Sequence, residues 1–509
     1  MTMRFLPVGP RTLLAELDDL DRTLALFDAL RTDPVPGVTE VIPAARTLMI
    51  RTAPGVLADA ALAGAVLARQ PTPGTPPDAR GGEVVDLPVT YDGADLADVA
   101  RLMGLTEAEV IEAHQATIWQ VAFCGFVPGF VYMTCDDARF DLPRRPAPRT
   151  RIPAGSVALA GRFCGIYPQE TPGGWQLIGR TPVPMWDLSR DPPALLRPGM
   201  RCRFVARMAE TYPSAVTPAP QPEQGLHIVS TAFPITFQDE GRPGRGALDM
   251  GAMRRANRAV GNPAETPLLE ITLGPVRMAA DQPMVLALTG AGRARVAGHP
   301  VPPGHAFALD AGDEIAIDPP VAGMRSYLAL RGGYDVAPVL GSAADTLAFV
   351  GPDALTSGAV IAPANRPAMA VGQPEDQPAL PKPGDLVELP VTLGPRTDWF
   401  TPAMVRHFLT QEWLVTPQGS RVGIRLEGAP VTRDAAELLS EGTEAGAIQI
   451  PHSGQPVLFL ADHPLTGGYP VIATLLPRAL DLAGQIPPGA RIRFTASADF
   501  APITPKRTA

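Results

Sequence analysis

Apolar residues recur at helical spacing through 11–31 (RTLLAELDDLDRTLALFDALR), which predicts a helix over that whole stretch. A second helix is predicted from Thr106, where TEAEVIEAHQ opens with a Thr-x-x-Glu capping box, Thr106 to Glu109. The run FCGFVPGFVYM, 123–133, is of another kind. Its Phe, Val and Tyr suit a buried strand, yet Gly125, Pro128 and Gly129 interrupt it where a ladder needs donors and side chains. With 60 Pro and 49 Gly in 509 residues, many short strands joined by turns are the expected texture. At about 150 residues each, roughly three domains fit the length.

The pattern breaks at AETYPSAVTPAPQPEQG, 209–225, where Pro, Gln, Ser and Thr replace periodic apolar residues and predict an exposed linker between two halves. A second Pro-rich stretch, 362–385, is either a further division or a long surface loop. The halves share phrases in one order. AGSVALAG (154–161) matches AGAIQIPHSG (445–454), TPGGWQLI (171–178) matches LTGGYPVI (465–472), and PGMRCRFVA (198–206) matches PGARIRFTA (488–496). A duplicated β-rich module follows, with a period far beyond that of solenoid repeats.

A net charge of −9 argues against nucleic acid or an anionic membrane as partner. DLADVARLMGLTEAEVIEAHQ has the outline of a helix-turn-helix but is acidic where phosphate contacts would be needed. No apolar run approaches the ~20 residues of a membrane span, and the acids near the N-terminus do not suit a signal peptide. Cys124, Cys135, Cys164 and Cys202 form no CxxC pair, so a cytoplasmic protein with free thiols is expected. No spacing of His, Cys, Asp or Glu reads as a metal site.

HQATIWQVAFCGFVPGFVYM (114–133) and RRPAPRTRIPAGSVALAGRFCGIYPQETPGGWQLIGRTP (144–182) closely resemble the B component of bacterial 5-oxoprolinase, the KipI family once labelled as the first component of allophanate hydrolase. TFQDEGRPG, ANRAVGN, LLEITLGP, LALRGGYDV, GIRLEGAPV and LLSEGTEAGAIQIPHSGQPVLFLADHPLTGGYPVIAT resemble the C component, or KipA. The chain thus resembles a B–C fusion, and the pair is also similar to the carboxyltransferase region of urea amidolyase. The resemblance implies a mainly β fold with an α/β N-terminal lobe and tandem cyclophilin-like β-barrels. The divisions expected are a lobe over 1–85, a B-like barrel over 86–208, the linker, and a C-like unit over 226–509. It also implies ATP-dependent opening of the 5-oxoproline lactam to L-glutamate, with magnesium accompanying the ATP and a separate 5-oxoprolinase A component (LamB/YcsF-like) as partner. One departure stands out: GRPGRGALDMGAM runs from Arg242 to Asp249 with a shortened loop, which leaves another lactam or amide open as substrate.

A lactam carbonyl is a poor electrophile, and phosphorylation of its oxygen creates a good leaving group. The site must therefore hold polyphosphate and a small carboxylate together. No P-loop or kinase signature is present, but Gly-rich turns can cradle phosphate through adjacent amides. Gly173, Gly174 and Trp175, and Thr466, Gly467, Gly468 and Tyr469, are the candidate turns, with tight hairpins as the alternative. Arg180, Arg331, Arg421 and Arg425, with Arg149, are candidates for carboxylate or phosphate contacts. Gly155, Ser156, Tyr167, Gln449 and Asp462 fall in the same motifs, as does Glu441. His114, Asp239 and Arg242 are the expected catalytic residues, with His452 and His463 as further imidazoles near the motifs. The GFVPGF run is expected to leave the barrel and bring Phe126 and Phe130, with Gly125, Pro128 and Gly129, over a ligand cleft; the alternative is an aromatic corner that packs the barrel end.

Two other functions remain open at this point. One is biotin-dependent carboxyl transfer, for which this chain carries neither a Met-Lys-Met biotinylation sequence nor a carboxylase domain. The other is KipI-like inhibition of a sensor histidine kinase. The oligomeric state, including a homo-oligomer, is left open.

Overall fold

A computed structural model describes residues 3–71, 84–145, 147, 149–207, 222–242, 246–346, 350–433 and 438–506. Most of the expected linker and residues 243–245 of the shortened loop lie outside these. The chain is mainly β, with an α/β lobe at its start and two seven-stranded cyclophilin-like barrels.

In the lobe, Arg4–Gly9 and Thr12–Glu16 form a hairpin that Thr47–Thr52 and Val38–Pro43 extend into a four-stranded antiparallel sheet. The helix expected over 11–31 is shorter, Leu20–Thr32, because Thr12–Glu16 is a strand. Leu13 and Leu14 lie on opposite faces of that strand and both are fully buried, so pairing on both edges outcompetes helical spacing. Asp19 then caps the helix, accepting from Arg22 N at 2.8 Å. The capping box at Thr106 forms and starts the helix Glu107–Ala116.

The first barrel sheet runs Gln176–Arg180, Ser156–Ala160, Phe163–Ile166, Val131–Thr134, Trp119–Cys124, Arg201–Ala206, Val84–Val89, and a bridge between Thr90 and Arg180 brings its edges together. The second is closed, in the order Leu386–Leu393, Val471–Leu475, Ala447–Gln449, Val457–Phe459, Gly423–Glu427, Trp413–Val415, Arg491–Ala496. The orders are the same. Each barrel has a parallel pair in the same place: Arg201 opposite Val84 in one, Arg491 opposite Leu386 in the other. The three repeated phrases occupy equivalent strands and turns. A fourth pair escapes the sequence reading, DLPVT (86–90) and ELPVT (388–392), on the two parallel strands.

Between the barrels, residues 226–361 form antiparallel sheets of six and five strands, with the helix Met250–Val260 against the latter. The Pro-rich stretch 362–385 runs from this middle lobe to the second barrel. The N-terminal lobe lies on both barrels. Leu20, Ala44 and Ala45 cover part of an aromatic layer on the first barrel. On the second, Arg4 pairs with Asp398 at 2.6 Å, Glu16 with Arg396 at 2.9 Å, and Ala45 N donates to Ser440 O at 3.2 Å. All four cysteines are free thiols. Among the described residues no helix is long and apolar enough to cross a membrane.

Candidate functional site

The GFVPGF run turns where the two barrels meet. Gly125 N donates to Phe130 O at 3.2 Å and Phe130 N to Val127 O at 3.0 Å, which closes the turn. Phe126 takes a left-handed φ of 62°, a conformation that costs a non-glycine residue about 1–3 kcal/mol. It is held there by the second barrel: Phe126 N donates to Thr466 Oγ1 at 3.0 Å, and Leu465 N donates to Phe126 O at 3.3 Å. A Cβ on Gly125 would stand 2.5 Å from Thr466 Oγ1, so only glycine allows this approach. The two phenylalanines then divide. Phe130 is buried, edge-on to Phe126, Tyr132, Tyr167 and Trp175, while Phe126 is half-buried at the junction. Phe130 therefore packs, and Phe126 alone of the pair reaches the seam. Pro128 is half-buried, and Gly129, at φ 82°, lies close against Trp186.

The Gly pairs are tight by space, since Gly173, Gly467 and Gly468 do not adopt a left-handed φ. A side chain on Gly173 would strike the Tyr167 hydroxyl, and one on Gly467 would stand 2.5 Å from Gln449 Nε2. Gln449 Nε2 instead donates to Tyr469 O at 3.1 Å. At Gly468 the nearest atoms belong to the Arg144 guanidinium. Tyr469 stands edge-on to His452 at 5.7 Å, and Arg433 donates to His452 Nδ1 at 2.9 Å, which leaves the imidazole proton on Nε2. Burial, with Tyr132 nearby, pushes the Tyr167 phenol up.

Beside this junction, Asp95 is almost fully buried and pairs with Arg145 and bidentately with Arg149 at 2.7 and 2.8 Å. Burial would raise its carboxyl, but the Arg149 hydrogen bonds, the Leu177 N–H at 2.7 Å and both arginine charges outweigh that and hold it low. The clasp holds Arg145 and Arg149 beside the first Gly turn, with Arg145 N donating to Gly174 O at 2.9 Å.

A second polar cluster joins the middle lobe to the second barrel. Buried Arg421 donates to Asp462 Oδ2 at 3.0 Å, to Gly246 O at 2.8 Å and to Glu270. Glu270 also accepts from Leu248 N and Tyr327 OH, each at 2.9 Å. Arg421 and Asp462, expected to bind ligand, are thus spent on this network. Asp239 and Arg242, expected to be catalytic, hold Val339, Ser342, Ala343 and Val350. Asp239 accepts from Gly241 N, Ser342 Oγ and Ala343 N, each at 2.7 Å, and Arg242 donates to Val339 O and Val350 O. Next to them, burial and then Asp462 push the half-buried Asp345 carboxyl up to about 6, a group that nothing in GSAADT announces. The segment from Asp462 to Tyr469 runs from this cluster to the inter-barrel seam. His463 stacks on Phe459 along it, and Glu441 is buried against Arg396.

His114 lies away from both clusters, in the core of the first barrel. It is fully buried, with Nδ1 2.8 Å from Tyr91 OH and Nε2 3.6 Å from Cys164 Sγ. Its ring packs on Phe204 at 4.4 Å and Trp119 at 5.3 Å. In the second barrel the same place holds Phe408, stacked on Phe494 at 4.8 Å and beside Trp413. Burial pushes the imidazole down to about 3, so it is a neutral core residue. Arg180 is exposed and paired with Asp92 at 2.7 Å, and Arg425 is exposed on its strand. Arg331 donates to Val260 O and Met369 O. Ser156 Oγ donates to Pro153 O at 2.8 Å, and Gly155, at φ 79°, packs against Thr181 O. None of the three arginines makes a side-chain hydrogen bond or ion pair at the junction among the described residues, whereas Gly155 N donates to Tyr167 O at 2.7 Å and Tyr167 N to Ser156 O at 3.0 Å, which holds the Tyr167 end of the aromatic layer.

Residues 3–196 match the family described as carboxyltransferase domain, subdomain C and D, and residues 241–496 the one described as subdomain A and B. The C component of 5-oxoprolinase from Escherichia coli (strain K12) is 37% identical over 53% of this chain and 90% of its own length. The B component from Escherichia coli O157:H7 is 48% identical over 24% of this chain and 57% of its own length. A urea amidolyase of Lachancea kluyveri is 31% identical over 50% of this chain but only 15% of itself. Among solved structures, that of TTHA0988 superposes with a TM-score of 0.83 at 34% identity, covering 95% of this chain and 99% of that one. The chain therefore belongs to the carboxyltransferase-domain family that contains the B and C components of 5-oxoprolinase, with a B-like and a C-like half in one polypeptide.

Proposed function

We propose that this chain is the fused B–C component of an ATP-dependent 5-oxoprolinase, which binds and activates the lactam while a separate A component takes part in hydrolysis. The observation that carries the reading is the seam at Phe126 and Thr466. There a strained turn of the B-like half is held by hydrogen bonds from the C-like half, where relatives are named as separate components. The seam brings together an aromatic layer, two Gly turns and a half-buried guanidinium, a set of groups that suits a small carboxylate and a polyphosphate. Arg144, with Gln449 and Tyr469, would hold the nucleotide or the acid. Among the described residues no group of three His, Cys, Asp or Glu side chains is placed to hold a metal, so magnesium would enter on the phosphates. Phosphoryl transfer to the lactam oxygen releases ADP; water then adds at that carbon, the C–N bond breaks with the nitrogen taking a proton to leave an acyl phosphate, and a second water releases phosphate and L-glutamate.

The test is ATP-dependent release of glutamate from 5-oxoproline by the purified chain, with and without the A component. The expected result is little turnover alone and robust turnover with the partner. Robust turnover by the chain alone would overturn the division of labour. The urea amidolyase match favours a second reading, carboxyl transfer. Carboxylation of urea when a biotin carboxylase and a biotinylated carrier are supplied, with no glutamate released in the first assay, would establish it instead.

A further inference from the structure

Arg145 and Arg149 lie beside the first Gly pair, Arg145 N donating to Gly174 O and Arg149 pairing with Gly173, and Arg144 directly precedes them in the chain. Two of the three are committed to Asp95. Arg144 is left over: half-buried, with no hydrogen-bond or ion-pair partner among the described residues. Its guanidinium nitrogens remain open to solvent, so an incoming anion meets a cation that has no ion pair to give up among the described residues.

Its position is defined from the other half of the chain. Arg144 Nη1, Nη2 and Cζ lie 2.9, 3.4 and 3.6 Å from where a Cβ on Gly468 would stand. The absence of a side chain there lets the guanidinium lie against the second Gly turn. Tyr167 is close enough for the Arg144 charge to act on its phenol, and Phe130 and Trp175 pack beyond it. An apolar wall of this kind lowers the local dielectric and strengthens a charge-assisted, bidentate contact. The first barrel's own turn is arranged differently, with Gly174 O accepting from the backbone of Arg145. The pairing is therefore across the halves: an arginine of the B-like half on a glycine of the C-like half.

We infer that Arg144 is the oxyanion receptor of the seam, binding a carboxylate or phosphate between its guanidinium and the Gly467–Gly468 turn. The naming of that anion as 5-oxoproline carboxylate or ATP phosphate rests on the function proposed above; the receptor itself does not.

The purified chain is titrated calorimetrically with ATP, with inorganic pyrophosphate and with 5-oxoproline. Wild type should bind at least one, and Arg144→Gln should weaken that binding about tenfold or more, with Arg144→Lys between the two. Gly468→Ala keeps the charge and puts a methyl group where the flexible guanidinium lies, so it should weaken the same ligand while the fold is kept. Arg277→Gln, in a surface pair with Glu314, should change nothing. Loss for ATP and pyrophosphate assigns a phosphate to Arg144, and loss for 5-oxoproline alone assigns the carboxylate. Affinities within twofold of wild type in both Arg144→Gln and Gly468→Ala, or a wild type that binds none of the three, would overturn the receptor. If binding is lost in the variants but wild type releases no glutamate with the A component present, the receptor stands and the lactam reading falls.

Discussion

The two barrels share strand order, parallel pair and turn positions, yet they fill one equivalent pocket with different chemistry. Two residues past the last parallel pair the first barrel has Tyr91 and the second Leu393; on the helix the first has His114 and the second Phe408. A hydroxyl–imidazole pair has been exchanged for two apolar side chains with the aromatic stack preserved. In both barrels the place holds a flat ring against Phe204 or Phe494. The barrels also differ in their buried ion pairs. The second is fixed to the middle lobe by the buried Arg421 network, whereas the Asp95 clasp lies within the first barrel and uses arginines that reach solvent.

The largest expected effect tests these ion pairs. Arg421→Met removes the guanidinium that buried Glu270 and Asp462 share, leaving Arg325 at 3.8 Å from Glu270, and should cost about 3–5 kcal/mol in denaturant unfolding. Asp95→Asn, whose arginines can turn to water, should cost about 1–2 kcal/mol. Equal losses would erase the distinction between the two ion-pair clusters.

Next is the ring exchange. His114→Phe copies the second barrel and should stay within about 1.5 kcal/mol of wild type, with activity beside the A component within a few fold. A loss of about 100-fold at unchanged melting temperature would restore a chemical role to His114. The pH dependence sharpens the point. With the folded imidazole held down at about 3 against an ordinary 6.5, the unfolded chain takes up a proton as pH falls below 6.5 and the folded chain does not. Wild-type stability should therefore decline as pH drops from 6.5 towards 3, by up to about 1.4 kcal/mol per pH unit from this group, and His114→Phe should lack that contribution.

The most local effect is at the seam. Gly125→Ala pushes a methyl group against Thr466 and should cost about 1–2 kcal/mol locally. Amide exchange should quicken about tenfold at Phe126 and Leu465, with Trp119 to Cys124 unchanged. Uniform quickening would mean that the turn supports the barrel itself.

The duplication is legible because turns and strand ends keep their residues: PGMRCRFVA and PGARIRFTA are the same strand in two barrels. The helix expected over 11–31 begins too early because the pairing of Thr12–Glu16 with strands on both sides is not local information. Motif membership picks out Phe126, Thr466 and Gly468, which meet at a shared seam, but cannot separate use from support. Asp239, Arg242 and Arg421 carry the charges a site needs, and the fold spends them on loop carbonyls, amides and buried carboxylates. Arg144 escapes a sequence reading for the converse reason: its lack of a partner depends on Asp95, far upstream, choosing Arg145 and Arg149.

Ile503 N donates to Phe5 O at 2.7 Å and Lys506 N to Ala60 O at 2.8 Å, so the last described segment of the C-like half is sewn to the first lobe of the B-like half. Were the halves separate molecules, this contact and the one at Thr466 would have to be won from dilute solution. A tether through 209–225 turns both into ring closures, with effective concentrations on the order of millimolar. A fused chain can therefore tolerate weaker contacts across the seam than an unlinked pair, and its two halves are always present in equal numbers.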